Sequence, residues 1–491
     1  MAALIKYIVY NLYRFLLKLL KIFLFYELIF INKLMRLSVY STEKSQSDIP
    51  RIKSKLFSNN SSLFRKDPLY FLSQCHYFSS CLVEIDDNVY VVTDPGLIEA
   101  IFHEKDGVFV KSRPDEDLGM VNFPASVMNS AGENWRRKRK SLQPGFHLER
   151  VERGVEKTVE IAERHLAQWG TDVLHTDVRK ILQLLCLDVG SQYLFGTTLA
   201  DDERASFVTL ADAIMVKTRD RKRFPIQLFD RAEARLTTAR HNASGVARAA
   251  LARTQQWRLN NGRPLVESSE AARDGTDDWL CDEFCAMVLS GLEPMAAALA
   301  WTLHLLTLHP DAMRRVTGEV DVVASTRGAW ESSGAGSLDL AAMAETMAAL
   351  KEALRLFPPA WLTGRIVSKD TTLGGFFLGE GSALMISPWV NHRSARHFDL
   401  PGHYRPERWL DGKLEQRLPR YAFFPFGGGS RRCIGDHFSM THMMAILFCI
   451  LRRFALNAAP GAKVRPYPAL VLRPMGIAMI LTHRAADGRD R

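Results

Sequence analysis

Apolar residues recur with a period near 3.6 along most of the chain, the spacing that lays an apolar stripe down one face of a helix. It predicts helices near 133–143, 148–168, 177–195, 203–218, 230–258, 278–308, 310–324 and 340–356, and a last one over 434–452. Short β-prone runs stand between 70 and 110, among them Leu82-Val83-Glu84-Ile85 and Val89-Tyr90-Val91-Val92, and again over 365–390 and 455–483. Residues 41–70 read as a polar leading segment with a Ser-rich loop at 57–62, and 259–278 and 325–338 read as exposed loops. There is no internal repeat. Many helices, a few small sheets and no alternating βαβ units predict a mainly α, helix-rich α+β domain.

The first forty residues follow a different pattern. Lys6, Arg14, Lys18, Lys21, Lys33 and Arg36 stand against Glu27 in a background of Leu, Ile, Phe and Tyr. A spanning helix wants about 18 or more residues with few charges, and Arg14, Lys18 and Lys21 interrupt any such run. Wound as a helix, Asn11, Arg14, Lys18, Lys21, Asn32, Lys33 and Arg36 share an arc of roughly 120°, with Lys6 and Glu27 off it. A basic stripe beside a wide apolar face predicts an amphipathic helix lying in a membrane surface through residues 1–37. A spanning helix with snorkelling lysines and a helix docked on the body remain open. The pattern fits a cleaved secretory signal poorly. The chain thus divides into a basic segment, 1–40, and a body, 41–491.

Composition narrows the class. The 491 residues carry a net charge of +10 and are 47% apolar, which excludes a disordered chain, a collagen-like chain and a polytopic membrane protein. The length suffices to enclose a large cofactor in one big helical domain. Cysteines at 75, 81, 186, 281, 285, 433 and 449 show no disulfide spacing, which predicts a reducing compartment. Cys281 and Cys285 share a helix without a nearby histidine and read as core thiols. His392, His397, His437 and His442 read as packing or surface residues.

One cysteine is different. Cys433 sits in Phe-Pro-Phe-Gly-Gly-Gly-Ser-Arg-Arg-Cys-Ile-Gly-Asp-His-Phe (424–438), just ahead of a helix. The helix N-terminus and two preceding arginines lower a thiol pKa or prepare it as an anionic ligand. Gly427, Gly428, Gly429 and Gly435 let backbone approach a flat partner, and Arg431 can pair with a carboxylate. A phosphate cradle lacks its glycine–lysine signature, a zinc site lacks paired cysteines, and a catalytic thiol lacks an evident histidine.

The pattern Phe426-x-x-Gly429-x-Arg431-x-Cys433-x-Gly435 resembles the heme-binding signature of the cytochrome P450 superfamily. The resemblance makes Cys433 the thiolate ligand of the iron of heme b, Phe426 the ring packed beside it and Arg431 a propionate partner. Glu352-Ala-Leu-Arg355, ahead of Pro358-Pro359, resembles the family's ExxR helix, and Arg408 in Pro406-Glu407-Arg408-Trp409 would complete its triad. Trp135 and Arg139 resemble the WxxxR helix, and Arg365 a further propionate arginine. Arg136, Arg137, Lys138 and Lys140 are expected on a solvated basic face that in the family docks an electron donor. The resemblance spans roughly residues 60–485.

The long helix 278–308 departs from the family pattern. It reads Ser290-Gly291-Leu292-Glu293-Pro294-Met295, with Gly291 and Glu293 in place and Pro294 where the family usually has an oxygen-activating threonine. Oxygen activation would then draw on Ser290, ordered water or a substrate hydroxyl. The resemblance implies a monooxygenase that hydroxylates or epoxidises an apolar small molecule such as a lipid, terpenoid or polyketide-type metabolite. It also implies a separate ferredoxin-, flavodoxin- or flavin-reductase-type donor. The cysteine usage and the basic first segment predict a cytoplasmic protein at the membrane surface, and no nucleic-acid partner is expected. By family position the pocket would use Phe123, Met287, Ser290, Gly291, Leu292 and 360–363. A peroxide-using, isomerase or dehydratase heme-thiolate enzyme and a non-catalytic heme sensor are the alternatives.

Overall fold

The computed structural model describes residues 40–44, 49–54, 60–78, 81–104, 106–111, 123–170, 173–175, 177–220, 231–261, 277–331 and 338–484. The predicted membrane-surface helix lies outside them. The chain opens with β1 (Tyr40–Lys44), β2 (Pro50–Ser54), α1 (Asn60–Lys66), α2 (Pro68–Phe78), β3 (Leu82–Asp86), β4 (Val89–Val92), α3 (Pro95–His103) and β5 (Phe109–Lys111). The helical body follows with α4 (Gly132–Leu142), α5 (Leu148–Arg153), α6 (Val155–Leu166), β6 (Val173–His175), α7 (Val178–Phe195), α8 (Asp201–Asp220) and α9 (Arg231–Asn261). It continues through α10 (Asp277–Leu308), α11 (Pro310–Glu331) and α12 (Ala344–Leu356) to β7 (Thr363–Val367), β8 (Thr371–Leu373), β9 (Phe376–Leu378) and β10 (Ala383–Ile386). Short helices α13 (Pro388–Asn391) and α14 (Lys413–Arg417) lead to α15 (Asp436–Arg453), then β11 (Phe454–Ala458), β12 (Arg465–Pro468), β13 (Leu472–Met475) and β14 (Met479–His483).

The ends of these elements follow local chemistry. Asp94 caps α3 by accepting the Leu97 N–H, and Pro95 starts the helix where no donor is needed. Gly196 stops α7 in the left-handed region, at φ +65°. The single helix expected over 148–168 is instead two. Gly154 separates them where the Tyr193 ring presses so close that an added Cβ would lie 2.9 Å from it.

Two other expectations change. The polar leading segment supplies a β-hairpin, β1–β2, at the edge of a seven-stranded sheet of order β1-β2-β3-β4-β10-β7-β5. Much of 325–338 is helix, because α11 runs on to Glu331. β6, β11 and β14 form a second small sheet, and β12–β13 and β8–β9 are hairpins.

The core gathers around α10, which packs along α7, α9 and α12, while α15 packs on α6. Trp279–Leu308 is long and apolar enough to cross a membrane by length and composition, but 78% of its most apolar stretch is buried inside the protein. That makes α10 the central core helix. Ser290 is nonetheless exposed in mid-helix, and Gly291 and Pro294 beside it are half-exposed. There α10 borders an internal cleft.

Candidate active site

The loop before α15 is built from backbone that only glycine tolerates. Gly427 and Gly429 have φ of +71° and +64°, and a Cβ on Gly429 would lie 2.0 Å from the Phe102 carbonyl oxygen. The loop then turns so that the Cys433 N–H donates to the Phe426 carbonyl at 3.0 Å, and Gly435 caps α15. Cys433 is open to a cleft although protein surrounds it on nearly every side. Burial pushes its thiol above the usual range and outweighs the Gly435 N–H and the charges of Arg139 and Arg432, which act in the other direction. The expected lowering is therefore not supplied by the polypeptide alone. A bound metal cation is the kind of group that reverses such a balance.

A buried charge hub lies behind this loop. Arg355 grips Glu352 twice, at 2.9 and 2.7 Å, and both side chains are fully buried. The guanidinium also donates to the carbonyls of His392 (2.8 Å), Pro401 (2.7 Å) and His403 (3.0 Å). Glu352 further accepts from Arg408 Nε (3.1 Å), Trp409 Nε1 (2.8 Å) and the Arg405 N–H (3.0 Å). The three predicted triad members therefore meet. His392, read from sequence as a packing residue, has a further part. Its Nε2 accepts the Phe424 N–H at 2.9 Å, tying the hub to the start of the cysteine loop. Burial and the charges of Arg355 and Arg393 hold its ring well below the usual histidine range, which keeps it a neutral acceptor.

Three arginines from separate elements gather on the other side of the loop. Arg431 stacks 4.1 Å over the Trp135 ring and donates twice to the Ser130 carbonyl, each at 3.0 Å. Arg139 donates to the Arg432 carbonyl at 2.9 Å, and Arg365 to the Gly364 carbonyl at 2.8 Å while lying over the Phe102 ring. None of the three forms an ion pair among the described residues. Burial, then repulsion from Arg365 and Arg139, pulls Arg431 down to about 10, and burial lowers the other two. Three cations, Arg365 buried and Arg139 and Arg431 half-buried, with no ion-pair partner among the described residues, form a site for a dianion. This cluster, the accessible thiol and the thin glycine loop together fit a porphyrin bearing two propionates.

Lys138 does not belong to the solvated basic face predicted for it. It lies one turn from Trp135 and Leu142 on the inner side of α4, buried, with its amine bonded to the Ala125 carbonyl and Ser130 Oγ. Arg136, Arg137 and Lys140 are exposed as expected.

A second cavity lies against α10. Phe123, Met128, Ala211, Ile214, Met215, Leu289 and Val471 supply most of its apolar lining, with Ser290, Glu293 and Pro294 on the α10 side. Residues 286, 289, 290, 293 and 294 share one helical face. Met287 and Leu292, predicted as lining, fall off that face into the core, and 360–363 are not on the lining either. Trp361 instead packs in a smaller core and donates to the Ala469 carbonyl at 2.8 Å.

Gly291 faces open space, and a methyl group placed on it would meet nothing within 4 Å. Ser290 Oγ donates to the Met287 carbonyl at 3.0 Å. The Glu293 carboxylate is buried and held by Arg179 and Arg473, each at 3.4 Å, and by the Gln183 amide. Arg473 also pairs with Asp212 at 2.7 Å. Cys281 and Cys285 are buried core thiols, as expected.

Comparison with known proteins adds independent findings. The sequence profile described as Cytochrome P450 matches residues 80–481. Cyclooctatin synthase of Streptomyces melanosporofaciens is 29% identical, with 85% of this chain and 92% of that protein covered. Pentalenene oxygenase of Streptomyces avermitilis is 27% identical, covering 85% and 93%. The crystal structure of a six-coordinated P450 from Thermus thermophilus shares the fold, with a TM-score of 0.66 at 23% identity over 85% of this chain and 98% of that one.

Proposed function

This chain belongs to the cytochrome P450 family, and on that premise we propose that it hydroxylates or epoxidises an apolar terpenoid-type metabolite held in the cavity beside α10. It is a heme-iron monooxygenase that acts on a small molecule and draws electrons from a redox partner. The observation that carries the site assignment is the cluster of Arg139, Arg365 and Arg431, none ion-paired among the described residues, beside an accessible Cys433. When bound, the heme iron supplies reductive activation of dioxygen and transfer of one oxygen atom to the substrate.

The polypeptide's contribution is to hold, orient and shield. In this reading Cys433 Sγ ligates the iron of heme b, and Phe426 and Gly435 flank the ligand. Trp135, Arg139, Arg365 and Arg431 hold the propionates, while Glu352, Arg355 and Arg408 fix the loop. Gly291 keeps room open on the α10 side. Pro294 has no N–H, so the Ser290 carbonyl loses its helical donor. A water bound there, beside Ser290 Oγ, passes protons inward in place of the absent threonine. Glu293 supplies the carboxylate of this relay once one of its present partners gives way. The apolar lining excludes bulk water from the substrate. The relatives' names, a cyclooctatin synthase and a pentalenene oxygenase, support a terpenoid.

Pro294 also favours a second reading, a peroxide-using or rearranging heme-thiolate enzyme. Turnover of a terpene panel with a ferredoxin or flavodoxin donor, its reductase and oxygen, against peroxide alone, separates the two. Product only with peroxide overturns the monooxygenase reaction. Residues 1–37 are proposed to seat this cytoplasmic enzyme on a membrane surface. Deleting them is expected to move it into the soluble fraction, and unchanged partitioning refutes the anchor.

A further inference from the structure

The cavity beside α10 has walls of unequal rigidity. Three of them are cross-linked by charge pairs that meet at the buried Glu293 and reach the half-exposed Asp212. Asp212 of α8 pairs with Arg473 of β13, Arg473 with Glu293 of α10, and Glu293 with Arg179 of α7. The Leu470 N–H adds a bond to Thr218 of α8 at 3.1 Å. The fourth wall, residues 123–130, is a run of turns that belongs to neither helix nor sheet. Its own hydrogen bonds close only short loops, such as Ser126 N–H to the Phe123 carbonyl and Ser130 N–H to the Ser126 carbonyl.

External contacts therefore fix the position of this strap. On the α10 side, Asp282 Oδ2 accepts the Ala125 N–H at 2.9 Å, and Glu283 Oε2 accepts the Val127 N–H at 2.7 Å. On the α4 side, Lys138 donates to the Ala125 carbonyl and Ser130 Oγ, and Arg431 grips the Ser130 carbonyl. Glu283 is the telling member. It is fully buried, and its bond to the strap is its single hydrogen bond among the described residues, with Oε1 unpartnered. Lys138 attracts it without bonding to it, and burial pushes the carboxyl up to about 7. A buried acid with one hydrogen bond is a net cost to stability. Its use lies in what it positions.

We propose that Glu283 is a substrate-positioning residue. Through the Val127 N–H it sets how far the Phe123–Asn129 wall stands from α10, and so the size of apolar ligand the cavity accepts. The proposal rests on the heme-thiolate reading and names a determinant which that reading leaves open.

The test uses full-length, heme-loaded enzyme and 1-butyl-, 1-octyl- and 1-dodecylimidazole, whose ring nitrogen binds heme iron and whose alkyl chain probes the cavity. Dissociation constants come from difference spectra. Losing this buried hydrogen bond is expected to shift the butyl-to-dodecyl affinity ratio about tenfold in Glu283→Ala. Glu283→Gln keeps an acceptor oxygen and is expected to stay within about threefold of wild type. Hydrogen–deuterium exchange is expected to speed up across 125–127 in Glu283→Ala and to stay unchanged in the Cys433 loop. Lys138→Met loosens the same strap from its other side, where Arg431 still holds the Ser130 carbonyl and Lys111 the Met128 carbonyl. It is expected to move the ratio too, and it decides the matter if Glu283→Ala does not fold. An unchanged ratio, or equal weakening of all three probes, overturns the proposal. Wild-type enzyme that responds to none of the imidazoles overturns the heme-thiolate reading itself, before any variant is compared.

Discussion

Replacing Glu352 by Gln is the sharpest perturbation of the scaffold behind the cysteine loop. The carboxylate accepts five hydrogen bonds, two from Arg355 and one each from Arg405, Arg408 and Trp409. Gln keeps one acceptor oxygen and turns an NH2 toward donors that cannot receive it. It also removes the negative charge between two guanidiniums, Arg355 fully buried and Arg408 nearly so. Breaking a buried pair from one side costs about 3–5 kcal/mol, against a total of roughly 5–15 kcal/mol for a folded domain. Glu352→Gln should therefore lose about a fifth of its stability or more in urea titrations followed by circular dichroism. Its Soret-to-protein absorbance ratio should fall as the loop around Cys433 loosens. Glu160→Gln is the control, because Glu160 and Lys157 form an exposed pair worth about 0–1 kcal/mol. If Glu352→Gln unfolds within about 1 kcal/mol of wild type and binds full heme, the hub does not hold the loop.

Two further outcomes follow from the geometry. Gly429→Ala combines a left-handed backbone, costing about 1–2 kcal/mol for a non-glycine residue, with a methyl 2.0 Å from the Phe102 carbonyl oxygen; purified protein should be largely heme-free, and full heme occupancy would refute the close approach. His442 is wholly buried, bonded through Nδ1 to Thr158 Oγ1 at 2.7 Å, and burial lowers it to about 3. The unfolded chain then binds the extra proton, so stability is present above the unfolded value of 6.5 and lost as pH falls toward 3. The loss should be about 2 kcal/mol between pH 7 and 5, and His442→Gln should remove that slope from urea titrations; a slope unchanged in the variant would refute the assignment.

The sequence carried the parts of the site whose residue types recur at short spacing. Glycine and arginine around Cys433, and Glu352 with Arg355 at one helical turn, can be recognised without knowing the fold. His392 could not be, because its role depends on Phe424 and Arg355, which the fold brings together from distant stretches of chain. Lys138 was hidden inside a basic run, although its spacing from Trp135 and Leu142 is an inward signal. Asp282 and Glu283 look like an ordinary acidic start to α10, and only the strap shows what they bind. β1 and β2 were missed because their polar residues reveal strands only through pairing, β1 with β2 and β2 with β3.

Ligation of the iron by Cys433 is checked by the carbon monoxide difference spectrum of the reduced protein, taken for wild type and Cys433→Ser. A long-wavelength thiolate-type Soret band is expected in wild type, and its loss in Cys433→Ser. A wild-type spectrum without that band, or a band that survives the substitution, refutes thiolate ligation.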